Sequence, residues 1–301
     1  MCSSDLVLQV WDRSGRILTR CGHPGGPAWT DVDISRDGKR IVAIRESEDG
    51  MTPDLLLTPA GAVCQLTRLS GHFGNVASAS FDESGDRVLS FGNNDNTARV
   101  WDAGLGSLLA TLTHPDEVLS ASFSPDGKEI AVAVADGSVY RWTPWGRLLG
   151  RPLELPPPVR ADLPPALATA ARHAPDGRLL AVASSDGGVY LWTLQPGEEK
   201  PVDGPVMLPG NRAGAALAVS FSPDGRRILS FGTDDTLRLW EAPFSFQPRE
   251  FRGHSAAVRN AVFSPDGTRL LSAGADGVVR LWRIPVTDLL TPQGNGLVLS
   301  A

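Results

Sequence analysis

Hydrophobic and polar residues alternate in short runs along this chain, and each run ends at a turn signal. In one stretch the alternating run Val258–Ser264 is followed by Pro265-Asp266-Gly267 and the apolar run Arg269–Ala273. Ala275-Asp276-Gly277 then turns the chain before the alternating run Val278–Trp282. Alternation with a period of two predicts half-buried β-strands, and a short apolar run predicts a strand buried on both faces. The stretch therefore predicts three antiparallel strands joined by tight turns.

This unit recurs along the chain, and some copies add an outer strand such as Ser107–Thr111. The Pro-Asp-Gly turn also begins at Pro125, Pro175 and Pro223. A Trp ends the last alternating run of most units: Trp11, Trp101, Trp142, Trp192, Trp240 and Trp282, with Leu57 in the Trp place of the second unit. A repeat of about 45 residues with several short strands is typical of propellers. Because one such sheet cannot bury its apolar faces alone, the units are predicted to stack in a ring.

These residues resemble the WD-repeat β-propellers. Trp11-Asp12 and Trp101-Asp102 match the dipeptide that names the family, and Gly71-His72 and Gly253-His254 match its Gly-His. An Asp lies six residues before the Trp of every unit that ends in Trp: Asp5, Asp95, Asp136, Asp186, Asp234 and Asp276. The resemblance covers nearly the whole chain. It implies an all-β fold, a β-propeller of four-stranded antiparallel blades, as one domain over residues 1–301.

In this family a His, a Ser, the turn Asp and the Trp form a buried hydrogen-bond chain. The resemblance implies two full sets here: His72, Ser90, Asp95 and Trp101, and His254, Ser272, Asp276 and Trp282. The same residue types also suggest a nucleophilic triad, but a catalytic site is expected once and these sets recur, which favours a structural role. His114 follows Thr113 instead of Gly, and His173 stands where other units have Phe. We expect those two blades to be held more by packing than by the polar chain.

Six units are complete in their inner strands, and residues 6–20 supply only a third and a fourth strand. We therefore expect seven blades, made of six complete repeats and an N-terminal half-blade. Six blades, or a slice of a longer tandem array, are the alternatives. The tail 296–301 is expected to act as a second strand that pairs with the N-terminal strand. Residues 1–5 are expected to be non-native, because a common sequencing adapter would encode them, with native sequence and an effector domain upstream.

Composition and charge narrow the function further. The chain is 42% apolar and 21% charged, which indicates a globular protein. Its net charge of -6 argues against a main task of binding nucleic-acid phosphates. The sequence has no apolar stretch of 18 residues and no secretory signal at its start. We therefore expect a cytoplasmic location without a membrane partner. Only 3 of the 28 basic residues are Lys, which suggests a GC-rich bacterial genome.

The search for chemistry leaves no strong motif. Asp31-x-Asp33-x-Ser35-x-Asp37-Gly38 resembles the start of a calcium loop, but its twelfth position is Val42 where Glu is needed. No phosphate-cradling loop, zinc-protease His pair or nucleophile elbow is present. His173 is interpreted as a buried substitute for Phe. The Pro-rich insert 156–165 is interpreted as a stiff loop between blades, or alternatively as a polyproline ligand. We expect no catalytic residue, no cofactor and no metal.

Function is therefore expected to reside on a surface. In this family partners bind the face that collects the loops before the first strands and after the second strands. The resemblance assigns these candidates to that face: Asn75, Asn94, Glu117, Leu119, Leu167, Thr169, Ser185, Leu217, Thr233 and Arg259. The face carries few charges, and Leu119, Leu167 and Leu217 suggest an apolar patch, which is typical of partner sites.

The sequence thus predicts a non-catalytic protein–protein interaction scaffold or sensor module, as a fragment of a larger bacterial signalling protein. Its partner is expected to be a protein or peptide on the loop-bearing face. Two alternatives use the central funnel: a lactonase-like or hydrolase-like enzyme, and a sensor for a small ligand. A funnel enzyme needs several convergent His or carboxylate groups, and the first-strand positions supply only Glu117 and Arg259.

Overall fold

The computed structural model describes residues 7–12, 14–22, 28–46, 54–59, 66–92, 94–157, 165–195, 198–208, 214–242, 244 and 248–284. Within these ranges, 25 β-strands form seven antiparallel sheets, and no helix occurs. Five sheets have four strands, one has three and one has two. No helix of the described residues is long and apolar enough to cross a membrane.

The strands follow the order of the chain within every sheet. The two-stranded sheet contains β1 (Leu8–Trp11) and β2 (Ile17–Cys21). The next two sheets contain β3 (Trp29–Ile34), β4 (Arg40–Arg45), β5 (Asp54–Pro59) and β6 (Thr67–Arg68), then β7 (Val76–Phe81), β8 (Arg87–Gly92), β9 (Thr97–Asp102) and β10 (Leu108–Thr113). The fourth and fifth contain β11 (Val118–Phe123), β12 (Ile130–Val134), β13 (Ser138–Trp142) and β14 (Leu153–Glu154), then β15 (Ala168–His173), β16 (Leu179–Ser184), β17 (Val189–Thr193) and β18 (Asp203–Leu208). The last two contain β19 (Ala216–Phe221), β20 (Arg227–Gly232), β21 (Leu237–Glu241) and β22 (Arg249–Phe251), then β23 (Val258–Phe263), β24 (Arg269–Gly274) and β25 (Val279–Arg283).

Each sheet packs on the next through an apolar cluster, and the Trp of the repeat fills the gap. Trp101 of β9 packs with Val42 and Leu55 of the preceding sheet, and Trp240 of β21 packs with Ala181 and Leu191 in the same way. Five such clusters join the six sheets from β3 to β25. The arrangement is a β-propeller with about seven blades, and this confirms the predicted fold class. Among the described residues the last blade has three strands, and the two-stranded sheet lies where the half-blade was expected.

A β-bulge interrupts the first strand of all six larger sheets at the same place. In β11, for example, Val118 pairs with Val134 and Ser120 pairs with Ala133, so Leu119 has no partner in the second strand. The bulge residues are Thr30, Ala77, Leu119, Thr169, Leu217 and Arg259. A bulge increases the local twist and redirects side chains. The same feature at the start of each first strand therefore gives the six blades a common geometry at one end.

The Pro-Asp-Gly turns lie at the other end of the first strands. In the turn after β11, Asp126 accepts hydrogen bonds from the hydroxyl of Ser124 at 2.7 Å and from the backbone N–H of Lys128 at 3.1 Å. Gly127 completes the turn with a φ of +65°. Residues with a side chain rarely adopt this left-handed conformation. Asp224 and Asp266 accept from Ser222 and Ser264 in the same manner. The turn signal in the sequence thus has a direct local cause.

The first and the last of the six larger sheets each carry exposed apolar side chains. Val32 and Ile34 of β3 are about half exposed, and Val279 and Leu281 of β25 are 64% and 62% exposed. The predicted pairing of the tail 296–301 with the N-terminal strand lies outside the described residues, as do residues 1–5 and most of the Pro-rich insert.

Candidate functional site

The third sheet contains the first predicted polar set in hydrogen-bond contact. His72 Nδ1 lies 2.7 Å from Asp95 Oδ2, and His72 Nε2 lies 2.7 Å from Ser90 Oγ. The indole N–H of Trp101 donates to Ser90 Oγ at 2.8 Å. Because an indole N–H can only donate, a consistent chain has Ser90 donating to His72 and His72 donating to Asp95.

The last sheet repeats this chain with small differences. His254 Nδ1 lies 3.0 Å from Asp276 Oδ2, His254 Nε2 lies 2.8 Å from Ser272 Oγ, and the Trp282 N–H donates to Ser272 at 2.8 Å. Asp276 also accepts from the Arg280 guanidinium at 2.9 Å. Arg280 Nη1, which can only donate, also lies 2.9 Å from His254 Nδ1, so this set includes an arginine as a fifth member.

Burial determines the protonation of the first set. Burial lowers the pKa of His72, and the Asp95 carboxylate only partly offsets that effect. Burial raises the pKa of Asp95, but its hydrogen bonds from His72 and Thr97 more than compensate and hold the pKa below its usual value. The set at neutral pH is therefore a neutral imidazole between a carboxylate and a hydroxyl.

The distances within these sets match those of a nucleophilic triad, yet the hydroxyls are not available to a substrate. Ser90 is fully buried and Ser272 is 1% exposed. Each Oγ already accepts the N–H of a Trp that fills the gap between two sheets. A nucleophile must reach the reacting atom of its substrate. The geometry of these two sets therefore supports a structural role.

The fourth sheet has a shorter hydrogen-bond chain than the third and the last sheets. The sequence did not predict this shorter chain. Val132 lies in the strand position that corresponds to Ser90, and the Trp142 N–H donates directly to His114 Nε2 at 3.0 Å. His114 Nδ1 lies 3.3 Å from the carbonyl oxygen of Asn96. Burial lowers the pKa of His114 to about 4, so the ring is neutral at physiological pH. Packing of the apolar cluster around Trp142 is thus supplemented by one buried hydrogen bond.

The calcium-like segment lies in β3 and its turn. Asp31 Oδ2 accepts from the backbone N–H of Ala79 at 3.1 Å, and Asp33 Oδ2 accepts from that of Phe81 at 2.8 Å. Both carboxylates therefore link β3 to β7 of the next sheet. No group of three metal-ligating side chains occurs among the residues that the structure describes.

The candidate partner residues lie at the end of the sheets opposite the Pro-Asp-Gly turns. They stand just before or at the bulge of a first strand, or in the turn that follows the paired second strand. Half of them are exposed: Asn75, Asn94, Leu167, Thr233 and Arg259. The other half are half-buried: Glu117, Leu119, Thr169, Ser185 and Leu217. Of the three Leu residues in the expected apolar patch, only Leu167 is exposed, at 36%.

Three hydroxyls on this face hold the loops in place. Ser185 Oγ accepts from the Leu167 N–H at 2.8 Å, and Thr233 Oγ1 accepts from the Ala215 N–H at 3.0 Å. Thr169 Oγ1 donates to the carbonyl of Ala216 in the next sheet at 2.5 Å. These contacts fix the backbone on which the exposed residues stand.

The sequence did not predict a buried ion pair within the fourth sheet, whose Arg also reaches the next blade. Arg141 of β13 donates to Glu129 at 2.7 Å and to the carbonyl oxygens of Glu198 and Glu199 in the insert before β18. The feature of the sequence that could have indicated this ion pair is the presence of Glu129 and Arg141 beside otherwise apolar strands. His173, interpreted as a substitute for Phe, is buried, and neither ring nitrogen has a hydrogen-bond partner.

The repeated blades, the Trp filler and the polar sets define a β-propeller built from Trp-containing repeats. A family model described as "WD domain, G-beta repeat" (WD40) matches residues 63–102, 106–143, 166–193, 206–241 and 246–283. These segments make up more than half of the chain, and the chain belongs to the WD40 repeat family. This repeat is typical of protein-interaction scaffolds.

Several curated proteins contain segments similar to this chain. The periodic tryptophan protein 2 homolog of Schizosaccharomyces pombe is 44% identical over 78 residues, which cover 26% of this chain and 9% of that protein. Human coronin-7 is 30% identical over 123 residues, 39% of this chain and 12% of that protein. Autophagy-related protein 16 of Arabidopsis thaliana is 29% identical over 140 residues, 45% of this chain and 26% of that protein. The matched segments thus span about a quarter or less of these relatives, all of which are eukaryotic.

A solved structure shares the fold over most of the chain. The crystal structure of the computationally designed Ika8 protein matches with a TM-score of 0.69 and 24% identity, and covers 93% of this chain and 79% of that one. At this identity the likeness concerns the fold alone.

Proposed function

We propose that this chain is a non-catalytic interaction module that binds a protein or peptide on its loop-bearing face. Membership of the WD40 family and the burial of both Ser hydroxyls support this proposal. Catalysis by those sets would require an accessible nucleophile, and each Oγ is hydrogen-bonded inside the fold. The polar chemistry of the repeat is thus used to hold the blades together, and the exposed face remains for recognition.

The recurring bulge is the observation that carries this proposal. Four candidate residues, Leu119, Thr169, Leu217 and Arg259, occupy the bulge position of their first strands. Bulges redirect side chains and are common next to functional sites. Six blades that present differing side chains from one backbone geometry form a surface that can vary in chemistry while the scaffold stays constant.

We further propose that the module acts in the cytoplasm as part of a larger bacterial signalling protein. The Arg-rich, Lys-poor composition supports the bacterial origin, and the much greater length of the relatives supports a larger parent protein. Disulfides are rare in the reducing cytoplasm. Titration of free thiols in protein isolated without added oxidant tests this placement: three free thiols support it, and one opposes it.

A pair of triple variants tests the binding face. The face variant Asn75→Ala/Leu167→Ala/Arg259→Ala changes three exposed candidates. Its matched control, Lys128→Ala/Arg178→Ala/Arg226→Ala, changes three exposed residues beside the opposite turns. We expect proteins that the unaltered chain captures in pull-downs to lose about tenfold or more of their recovery with the face variant alone. Equal recovery with both variants would contradict the assignment of the face.

A further inference from the structure

A cavity of about 910 Å³ opens at the turn end of the propeller, opposite the proposed partner face. It is lined by the last residues of four neighbouring first strands and by the turns that follow them. A volume of this size is in the range of sites for small ligands. The position indicates a second surface, distinct from the candidate partner residues.

The repeat places aromatic residues among the polar ones of the lining and then breaks its own pattern once. Three first strands end in Ser-Phe, at Phe81, Phe123 and Phe221, and all three Phe residues are part of the lining. In β15 the corresponding pair is Arg172-His173, and both of these residues line the cavity. One blade thus introduces a cation into a ring of aromatic side chains.

The Arg172 guanidinium has no carboxylate partner among the described residues. It donates to Ser120 Oγ at 2.8 Å and to its neighbour's carbonyl, Ala171 O, at 2.9 Å, and both acceptors are neutral. The other charged lining residues, Arg36 and Glu83, form an ion pair with each other. The lining therefore has one uncompensated positive charge. Burial lowers the pKa of Arg172, yet a guanidinium remains charged at neutral pH.

A second polar group in the lining also lacks a partner. Ser220 Oγ is buried and makes no hydrogen bond, although it can both donate and accept. A half-buried charge without a counter-charge and a buried hydroxyl without a hydrogen bond each cost free energy. An anion that reached both groups would relieve both costs.

We propose that this cavity binds an apolar ligand with a single carboxylate, which pairs with Arg172 while its apolar body packs on Phe81, Phe123 and Phe221. The planar guanidinium matches a carboxylate in shape. A single uncompensated cation in the lining favours a monoanion over phosphate. This site does not depend on the proposed partner face, so failure of either proposal leaves the other standing.

Calorimetric titration of the intact chain at pH 7 tests the site with three probes. The probes are 4-phenylbutyrate, its uncharged amide 4-phenylbutyramide, and inorganic phosphate. We expect 4-phenylbutyrate to bind about tenfold or more tightly than the amide, because a charge-assisted hydrogen bond is lost with the amide. Phosphate is expected to bind more weakly than 4-phenylbutyrate. Equal affinity for acid and amide, tighter binding of phosphate, or no binding of the acid would each overturn the proposal.

Arg172→Gln is expected to abolish the preference for the acid over the amide, and the control Arg178→Gln, an exposed residue of the same blade, is expected to retain it. Arg172→Lys keeps the positive charge but lacks the paired N–H donors of the guanidinium. It is expected to retain part of the preference for the acid over the amide. It provides the readout if Arg172→Gln does not fold. An unchanged preference for the acid over the amide in Arg172→Gln would contradict the assignment. Equal binding of acid and amide by Arg172→Lys would also contradict it.

Discussion

At the scale of single residues, burial separates a structural His–Ser–Asp set from a catalytic one. The distances around His72 are those of a working triad, at 2.7 Å to Asp95 and 2.7 Å to Ser90. The difference lies in Trp101. Its N–H donates to the Ser90 oxygen, and its ring packs in the apolar cluster between two sheets. The residue types could be read from the sequence, but the exclusion of substrate depends on packing between two blades.

Replacement of Ser90 by Ala measures what the chain of hydrogen bonds contributes. The buried N–H of Trp101 and Nε2 of His72 both lose their partner, and an unsatisfied buried group costs about 1–3 kcal/mol. We expect the free energy of unfolding to fall by about 2–4 kcal/mol in urea denaturation. The control Ser107→Ala, an exposed position in the loop before β10, is expected to stay within about 0.5 kcal/mol. Similar small effects at both positions would oppose a structural role for Ser90.

His114 is expected to make stability depend on pH. Its pKa is about 4 in the fold and 6.5 ordinarily, because burial disfavours the charged ring. Between these values the unfolded chain binds a proton that the folded chain does not, so stability is complete above about pH 6.5 and falls as the pH drops towards 4. The loss from this residue is about 3 kcal/mol. Urea midpoints at several pH values should show that His114→Phe is less stable than the unaltered chain at pH 7.5 and that the difference shrinks towards pH 4. A constant difference would contradict the shift.

At the scale of elements, the first strands carry several of the side-chain hydrogen bonds between blades. Asp33 of β3 accepts from the Phe81 N–H, Ser122 of β11 donates to the Ala171 carbonyl, and Thr169 of β15 donates to the Ala216 carbonyl. Alternation predicted these strands correctly because their faces differ in burial. The bulge could not be predicted, because one extra residue leaves the local pattern of apolar positions almost unchanged.

Asp33 offers a direct test of these links. Asp33→Ala leaves the Phe81 N–H without its acceptor, and we expect a loss of about 1–2 kcal/mol in the free energy of unfolding. Asp33→Asn retains a carbonyl acceptor of the same length and is expected to lose less than half of that. Denaturation of both variants beside the unaltered chain provides the measurement. Equal losses in the two variants would show that charge, and not the hydrogen bond, is the contribution of Asp33.

At the scale of the whole molecule, the repeat made the propeller predictable, while the two proposed binding surfaces were predictable only in part. Most units repeat the same turn and Trp, so a single alignment register sets the strands of six sheets. Exposure of the candidate face did not follow from that register, since Leu119 and Leu217 are half-buried. The turn-end cavity was missed because its lining comes from several blades. Its signal was the replacement of Ser-Phe by Arg172-His173 in one unit.

We expect the two His–Ser–Asp–Trp sets to hold blades together and to perform no chemistry. Treatment of the folded chain with a fluorophosphonate, which labels activated serines, tests this claim by intact-mass and peptide mass spectrometry. We predict no adduct at Ser90 or Ser272 in the native protein, because both hydroxyls are buried and accept a Trp N–H. A stoichiometric adduct at either serine, absent after denaturation, would contradict the account.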